Sequence, residues 1–152
     1  MLPEQTEIIK NILQQLLQVM DFEGDTFVDS SDAMFLRFNI QSSQAAYLIG
    51  RGGETLRGLQ EIVRVISSKK CGEPARFIID VNDYQKERLE SIREAARSLA
   101  AEAAQGQTRW LPPMNAYERR VVHLALAGFE GIKTESEGEG DQRRVVIKPA
   151  AS

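Results

Sequence analysis

The chain has 152 residues, 42% of them hydrophobic and 27% charged, which gives enough apolar content for folded cores and room for one ordinary domain or two small ones. No stretch reaches the ~20 apolar residues that cross a bilayer, the start Met1-Leu2-Pro3-Glu4-Gln5 lacks the basic-then-apolar pattern of a secretion signal, and a single cysteine (Cys71) with a single histidine (His123) excludes an internal disulfide and a zinc ligand set. The expected location is the cytoplasm, with no membrane insertion, metal or other cofactor, and the net charge of -3 disfavours a uniformly basic surface.

From residue 3 to 20, Ile8, Ile12, Leu16 and Val19 recur at helical spacing behind Pro3 and predict an amphipathic helix. Residues 26–30 and 34–40 read as a hairpin turned at Ser31-Asp32, with Met34, Leu36, Phe38 and Ile40 on one face. This region is acidic, carrying Asp21, Glu23, Asp25, Asp29 and Asp32 and no Lys or Arg between them. Ser43 is the expected cap of a short helix through Leu48, broken at Gly50-Arg51-Gly52-Gly53, and a longer helix follows from Glu54 to about Ser68 with Leu56, Leu59, Val63 and Ile66 inward. The balance of charge reverses here: Arg51, Arg57, Arg64, Lys69 and Lys70 stand against Glu54 and Glu61, so one face is a candidate basic surface. A turn at Cys71-Gly72-Glu73-Pro74 leads into a strand over 76–81, completing an α-β-β-α-α-β order.

A long helix is predicted from Asp83 to about Ala104, with Leu89, Ile92, Ala96, Leu99 and Ala103 inward, joining two modules. Gly106 ends it, Arg109-Trp110-Leu111 reads as a short strand, and Pro112-Pro113 enforces an extended turn. Asn115 and Glu118 form the signature of a capping box for a helix to about Ala127, with Tyr117, Val121, Leu124 and Gly128 on its apolar side. Residues 132–136 and 143–148 predict a second hairpin around Glu137-Gly138-Glu139-Gly140-Asp141, and residues 149–152 a disordered tail.

Two patterns carry chemistry. Gly50-Arg51-Gly52-Gly53 between two helices lets backbone approach a large anion, because glycine has no Cβ to hold a phosphate away, and the following helix directs its N-terminal amides there. The turn lacks the Lys-Ser or Lys-Thr of a triphosphate cradle, and Thr55 stands where a dinucleotide fingerprint has glycine; a plain helix–helix turn is the other reading of the pattern alone. Arg119 and His123 lie one turn apart on a helix, on the side away from Val121, so they are expected to face solvent or a ligand with Arg120 beside them. An ordinary polar helix face is the alternative there.

The element order with its Gly-x-x-Gly turn resembles a type II KH domain over residues 1–81, a fold whose glycine loop clamps unpaired nucleotides. That resemblance implies that Gly50, Arg51, Gly52 and Gly53, with Arg57 on the next turn, meet phosphates, and it makes Ala45, Ala46, Leu48, Ile49, Leu56, Phe77 and Ile79 candidates for an apolar groove floor. Leu111-Pro112-Pro113-Met114-Asn115-x-x-Glu118-Arg119-Arg120-x-Val122-His123, continued by Thr134 to Gly140 and Arg143 to Ile147, closely resembles the R-three-H domain over residues 82–148, which implies that Arg119, Arg120 and His123 contact single-stranded nucleic acid. The two in succession resemble the bacterial Jag or KhpB family, also called SpoIIIJ-associated proteins. The fold class implied is α+β: a type II KH domain joined by a long helix to a small R-three-H domain with antiparallel strands. The resemblance further implies binding of single-stranded RNA, with single-stranded DNA second, control of cell elongation, division or sporulation, and a small single-KH protein as partner. Many members carry an additional small N-terminal domain and a charged linker; the sequence here starts at the first KH helix, so nothing attributed to that domain is expected of it. No nucleophile, base and metal converge in the pattern, so an enzyme is not expected. The rival is a protein-interaction scaffold using the acidic first half, the Leu-rich first helix and the Glu-rich hairpin.

Overall fold

The computed structural model describes residues 1–32 and 35–151; Met34, expected to open the second strand, and Ser152 of the expected tail lie outside the described residues. The architecture is α+β, and the chain divides into two compact units, Met1–Gln85 and Lys86–Ser152.

The first unit opens with α1 (Pro3–Val19), where Pro3 occupies the start of the helix and has no N–H to leave unpaired. Its apolar stripe is wider than a single file, with Ile9, Ile12, Leu13 and Leu17 buried and Ile8 and Leu16 flanking them. The stripe ends at Leu17, so Val19 at the last helical position is 84% exposed rather than inward. Strands β1 (Asp25–Asp29) and β2 (Leu36–Gln41) pair antiparallel with Val28 opposite Phe38, and β2 pairs parallel with β3 (Phe77–Val81) with Phe38 opposite Ile79. A parallel neighbour needs a long crossover, supplied by α2 (Ala45–Ile49) and α3 (Glu54–Cys71). One core joins α1, α2 and α3 to Phe38, Ile40, Ile79 and Val81, and Phe38 meets Phe77 edge-on with ring centroids 5.7 Å apart.

Three local expectations are corrected. In β2 the alternation hides two buried polar residues: Arg37 pairs with buried Asp80 at 3.6 Å, and Asn39 donates to Asp83 Oδ1 at 3.2 Å while accepting from the Asp83 amide at 3.1 Å. These partners make burial of polar groups tolerable in a central strand. Ser43 does not cap α2; Gln44 takes the cap position without a side-chain bond, and the Ser42 hydroxyl accepts from the Gln44 amide while donating to the Glu23 carbonyl. Cys71 is the last residue of α3, half-buried with a free thiol, not part of the turn.

Helix α4 (Tyr84–Ala104) starts at the end of the first unit and runs into the second. There Ala96, Ala100 and Ala103 are fully buried with Leu111, Val122, Leu126, Val145 and Ile147, while Ile92 and Leu99 sit at the margin of the core. Strand β4 (Arg109–Trp110), helix α5 (Ala116–Leu126), β5 (Ile132–Glu137) and β6 (Arg144–Pro149) complete the unit, with an antiparallel sheet in the order β4-β6-β5. The buried side of α5 is Val121, Val122 and Leu126; Leu124 is 52% exposed and Gly128 lies beyond the helix end, so the stripe is rotated from the expected one. The expected tail is partly structured, since Pro149 pairs with Ile132 and the Ala150 amide donates to the Gly131 carbonyl at 2.9 Å. Among the described residues no helix is long and apolar enough to cross a membrane.

Candidate functional site

The glycine turn takes a backbone path that side chains resist. Gly50 (φ 72, ψ -178) closes α2 in a region essentially restricted to glycine, and a Cβ there would fall 2.2 Å from the Thr55 hydroxyl. Gly52 (φ 61, ψ 22) faces open space, with no heavy atom within 4 Å of a Cβ built on it. Gly53 is buried at the N-terminus of α3, where a Cβ would come within 3.5 Å of the Tyr84 ring. Arg57, expected to contact ligand, is exposed and donates from Nη1 to the Gly52 carbonyl at 2.8 Å, which holds the turn. Arg51 is exposed, and its side chain has no hydrogen bond or ion pair among the described residues.

The basic face expected over residues 51–70 is thinner than its count of cations. Arg64 is engaged by Glu61, and Lys69 and Lys70 lie near the far end of an 18-residue helix, ~23 Å from the turn. The Glu61–Arg64 pair holds the carboxyl below its usual range, chiefly through the hydrogen bond, and this engages the guanidinium further. Of the expected groove floor, Leu48, Leu56, Phe77 and Ile79 are core residues, buried because they bind α2, α3 and β3 together. Ala45 and Ile49 are half-buried and Ala46 is exposed. Next to them stands Tyr47, 72% exposed, one turn before Arg51. Tyr47 belongs to neither sequence motif, although an aromatic inside a short run leading to a glycine turn is a signal in itself.

In the second unit the capping box forms as expected: Asn115 Oδ1 accepts from the Glu118 amide at 2.9 Å and Glu118 Oε2 accepts from the Asn115 amide at 3.1 Å. Glu118 is buried and also binds Arg88, which fixes the start of α5. From that start, Arg119 donates through Nη1 to the Met114 carbonyl at 2.7 Å, and His123 reaches Thr134 Oγ1 (Nδ1, 2.8 Å) and Ser136 Oγ (Nε2, 3.0 Å) on β5. Arg119 and His123 are therefore half-buried and engaged, not freely exposed as the helical spacing suggested; the core is centred on Val122, which turns His123 toward the strand. Burial first, and the neighbouring Arg119 charge second, hold the imidazole below its usual value, so it is neutral near pH 7 with one ring nitrogen donating and the other accepting. Arg120 is exposed, and its side chain has no hydrogen bond or ion pair among the described residues. Thr134 and Ser136 fall in the stretch Thr134 to Gly140 that continues the R-three-H resemblance, which gives them no role, yet two hydroxyls at i and i+2 of a strand share a face, and the chain's one histidine is their complement.

The described residues hold no group of three or more His, Cys, Asp or Glu able to bind a metal ion. What the two places share, among the described residues, is an exposed arginine side chain with no hydrogen bond or ion pair, Arg51 or Arg120.

A family model described as the R-three-H domain matches residues 87–149. Among curated relatives, the RNA-binding protein KhpB of Clostridium symbiosum is 30% identical over 137 residues, covering 89% of this chain and 62% of the relative. The RNA-binding protein KhpB of Bacillus subtilis is 30% identical over 141 residues, 91% of this chain and 67% of that protein. The one of Streptococcus pneumoniae is 26% identical over 143 residues, 93% and 43% respectively. The chain thus spans about two thirds or less of the length of these relatives.

Proposed function

Because the chain belongs to the KhpB family, with an R-three-H domain in its C-terminal part, we propose that it binds single-stranded nucleic acid, RNA in preference to DNA, and acts by binding without catalysis. We read the first unit as a type II KH module whose turn at Gly50, Arg51, Gly52 and Gly53 meets the sugar-phosphate backbone, and α5 of the second unit as the other contact, through Arg119, Arg120 and the hydroxyl-bound His123. The observation that carries this reading is the turn itself: open space beyond Gly52, an exposed Arg51 side chain without a hydrogen bond or ion pair among the described residues, and a carbonyl held by Arg57. An anion can approach the backbone there closely and find both a cation and the N-terminus of α3. In α5, Arg120 supplies the free charge and neutral His123 holds Thr134 and Ser136 in place. A post-transcriptional role in elongation, division or sporulation, with a small single-KH protein as partner, is the finer reading that the resemblance supports. Ultraviolet crosslinking of a short uridine-containing RNA, followed by mass spectrometry, tests the assignment: adducts are expected on peptides spanning residues 45–57 and 115–123, and adducts confined to other peptides would contradict it. A scaffold is the second reading, favoured by Ile62 and Val65, both more than half exposed on α3; it predicts no RNA adducts at all.

A further inference from the structure

Only one face of the second sheet turns toward the helices of its unit. Val145 and Ile147 enter the core shared with α4 and α5, and Thr134 and Ser136 meet His123. Alternation along the strands places Trp110 on the opposite face, across the ladder from Val146, with Arg144 and Lys148 two residues to either side on β6. Glu137 and Glu135 of β5 lie opposite Arg144 and Val146.

Trp110 is 47% exposed and is the one large exposed apolar side chain on this face among the described residues. Its indole N–H donates to Glu137 Oε1 at 2.7 Å, and the Arg144 guanidinium lies 5.7 Å from the ring centroid while also pairing with Glu137 at 3.4 Å. The ring edge is thus anchored, and the Arg144 guanidinium lies over the ring of a side chain that is otherwise about half exposed. Glu135 is shared between Lys148 at 2.8 Å and Lys133 at 3.7 Å, so both carboxylates of the face are occupied by cations that outnumber them.

We infer that this face is an additional nucleic-acid contact, in which the base of an unpaired nucleotide stacks on the Trp110 indole while flanking phosphates meet Arg144 and Lys148. The inference rests on the RNA-binding reading proposed above and adds a surface to it. An aromatic ring held by its edge loses little freedom when a base stacks on it, and such stacking is sequence-tolerant because every base has a π-face. The guanidinium already resting near the ring marks that face as one that attracts planar groups. Arg144 and Lys148 stand ~7 Å along the strand to either side of the stacking position, within reach of their long side chains. A protein partner fits less well, because one ring bordered by charges falls far short of the ~800 Å² per partner of a standard interface.

Trp110 is the only tryptophan in the chain, so its own fluorescence reports on the site. Titrating the full chain with a short oligouridylate, while following tryptophan emission and the anisotropy of a labelled copy of the RNA, should give quenching and binding on one isotherm. Trp110→Leu, which keeps apolar bulk without a π-face, should bind roughly 5- to 150-fold more weakly, and Trp110→Phe should stay within about threefold of the parent. If Trp110→Leu fails to fold, quenching in the unaltered protein still decides. Anisotropy that reports binding while tryptophan emission stays constant would overturn the inference and leave the RNA-binding reading standing. Absence of binding by anisotropy overturns both.

Discussion

Replacing Arg51 and Gly52 together by aspartate separates binding from folding at the glycine turn. The Arg51 side chain has no hydrogen bond or ion pair to lose among the described residues, and a side chain at Gly52 enters open space. The cost that remains is conformational: φ 61 and ψ 22 lie in the left-handed region, where a non-glycine residue costs about 1–2 kcal/mol and Asp is among the better tolerated. For a unit of this size about 1 kcal/mol lowers Tm by roughly 4–8 °C. The effect on binding is larger, because a cation becomes an anion and a second anion is added where phosphate is expected. One lost charge-assisted hydrogen bond costs about 1.5–3 kcal/mol, roughly 10- to 150-fold in Kd, and the logarithmic salt slope drops by about one. Anisotropy of labelled single-stranded RNA at several salt concentrations, beside a thermal melt, reads both quantities. A double variant that melts as a folded protein and binds RNA with unchanged affinity and salt slope removes the turn from the mechanism.

Gly50→Ala should do the reverse, lowering Tm well beyond that range, because φ 72 with ψ -178 costs a side chain about 1–3 kcal/mol and its Cβ would sit 2.2 Å from the Thr55 hydroxyl; an unchanged melt contradicts the geometry. Arg120→Ala should reduce the salt slope of RNA binding by about one without moving Tm, since the side chain is exposed and has no hydrogen bond or ion pair among the described residues; a large loss of stability would mean that it is structural. The depressed pKa of His123 means that the unfolded chain binds more protons just below about pH 6.5, so the stability of the second unit is complete above that pH and declines as pH falls through it. Melting temperature should therefore decrease from about pH 7.5 to 5.5, and His123→Gln should flatten that decrease. Glu61 and Glu135, lowered from 4.5, lose their contribution only at more acid pH and do not confuse the test.

The element order was legible because each element carries a local signature: Pro3 at a helix start, Asn115 with Glu118 at another, glycines at the turn, alternation in the hairpins. What a one-dimensional period does not contain is which neighbours arrive from far along the chain. Asp80 and Asp83 bury Arg37 and Asn39 from about 40 residues away, so β2 looks half-exposed in sequence and is buried on both faces. The same limit applies to α5, where a shift of the stripe by one position, set by packing against β6, moves His123 from solvent to Thr134 and Ser136. At the glycine turn the residue types pointed to the backbone path, but the bond from Arg57 to the Gly52 carbonyl was not legible in them. Side-chain partners of this kind depend on rotamers that sequence spacing does not specify.

The most direct test of the central claim is fluorescence anisotropy of short labelled single-stranded RNA, single-stranded DNA and duplex, titrated with the chain at two salt concentrations. Salt-sensitive binding to single strands, tighter for RNA than for DNA and weakest for duplex, is the predicted result. Absence of binding to any of the three at micromolar protein contradicts the account and gives the molecule to protein contacts instead.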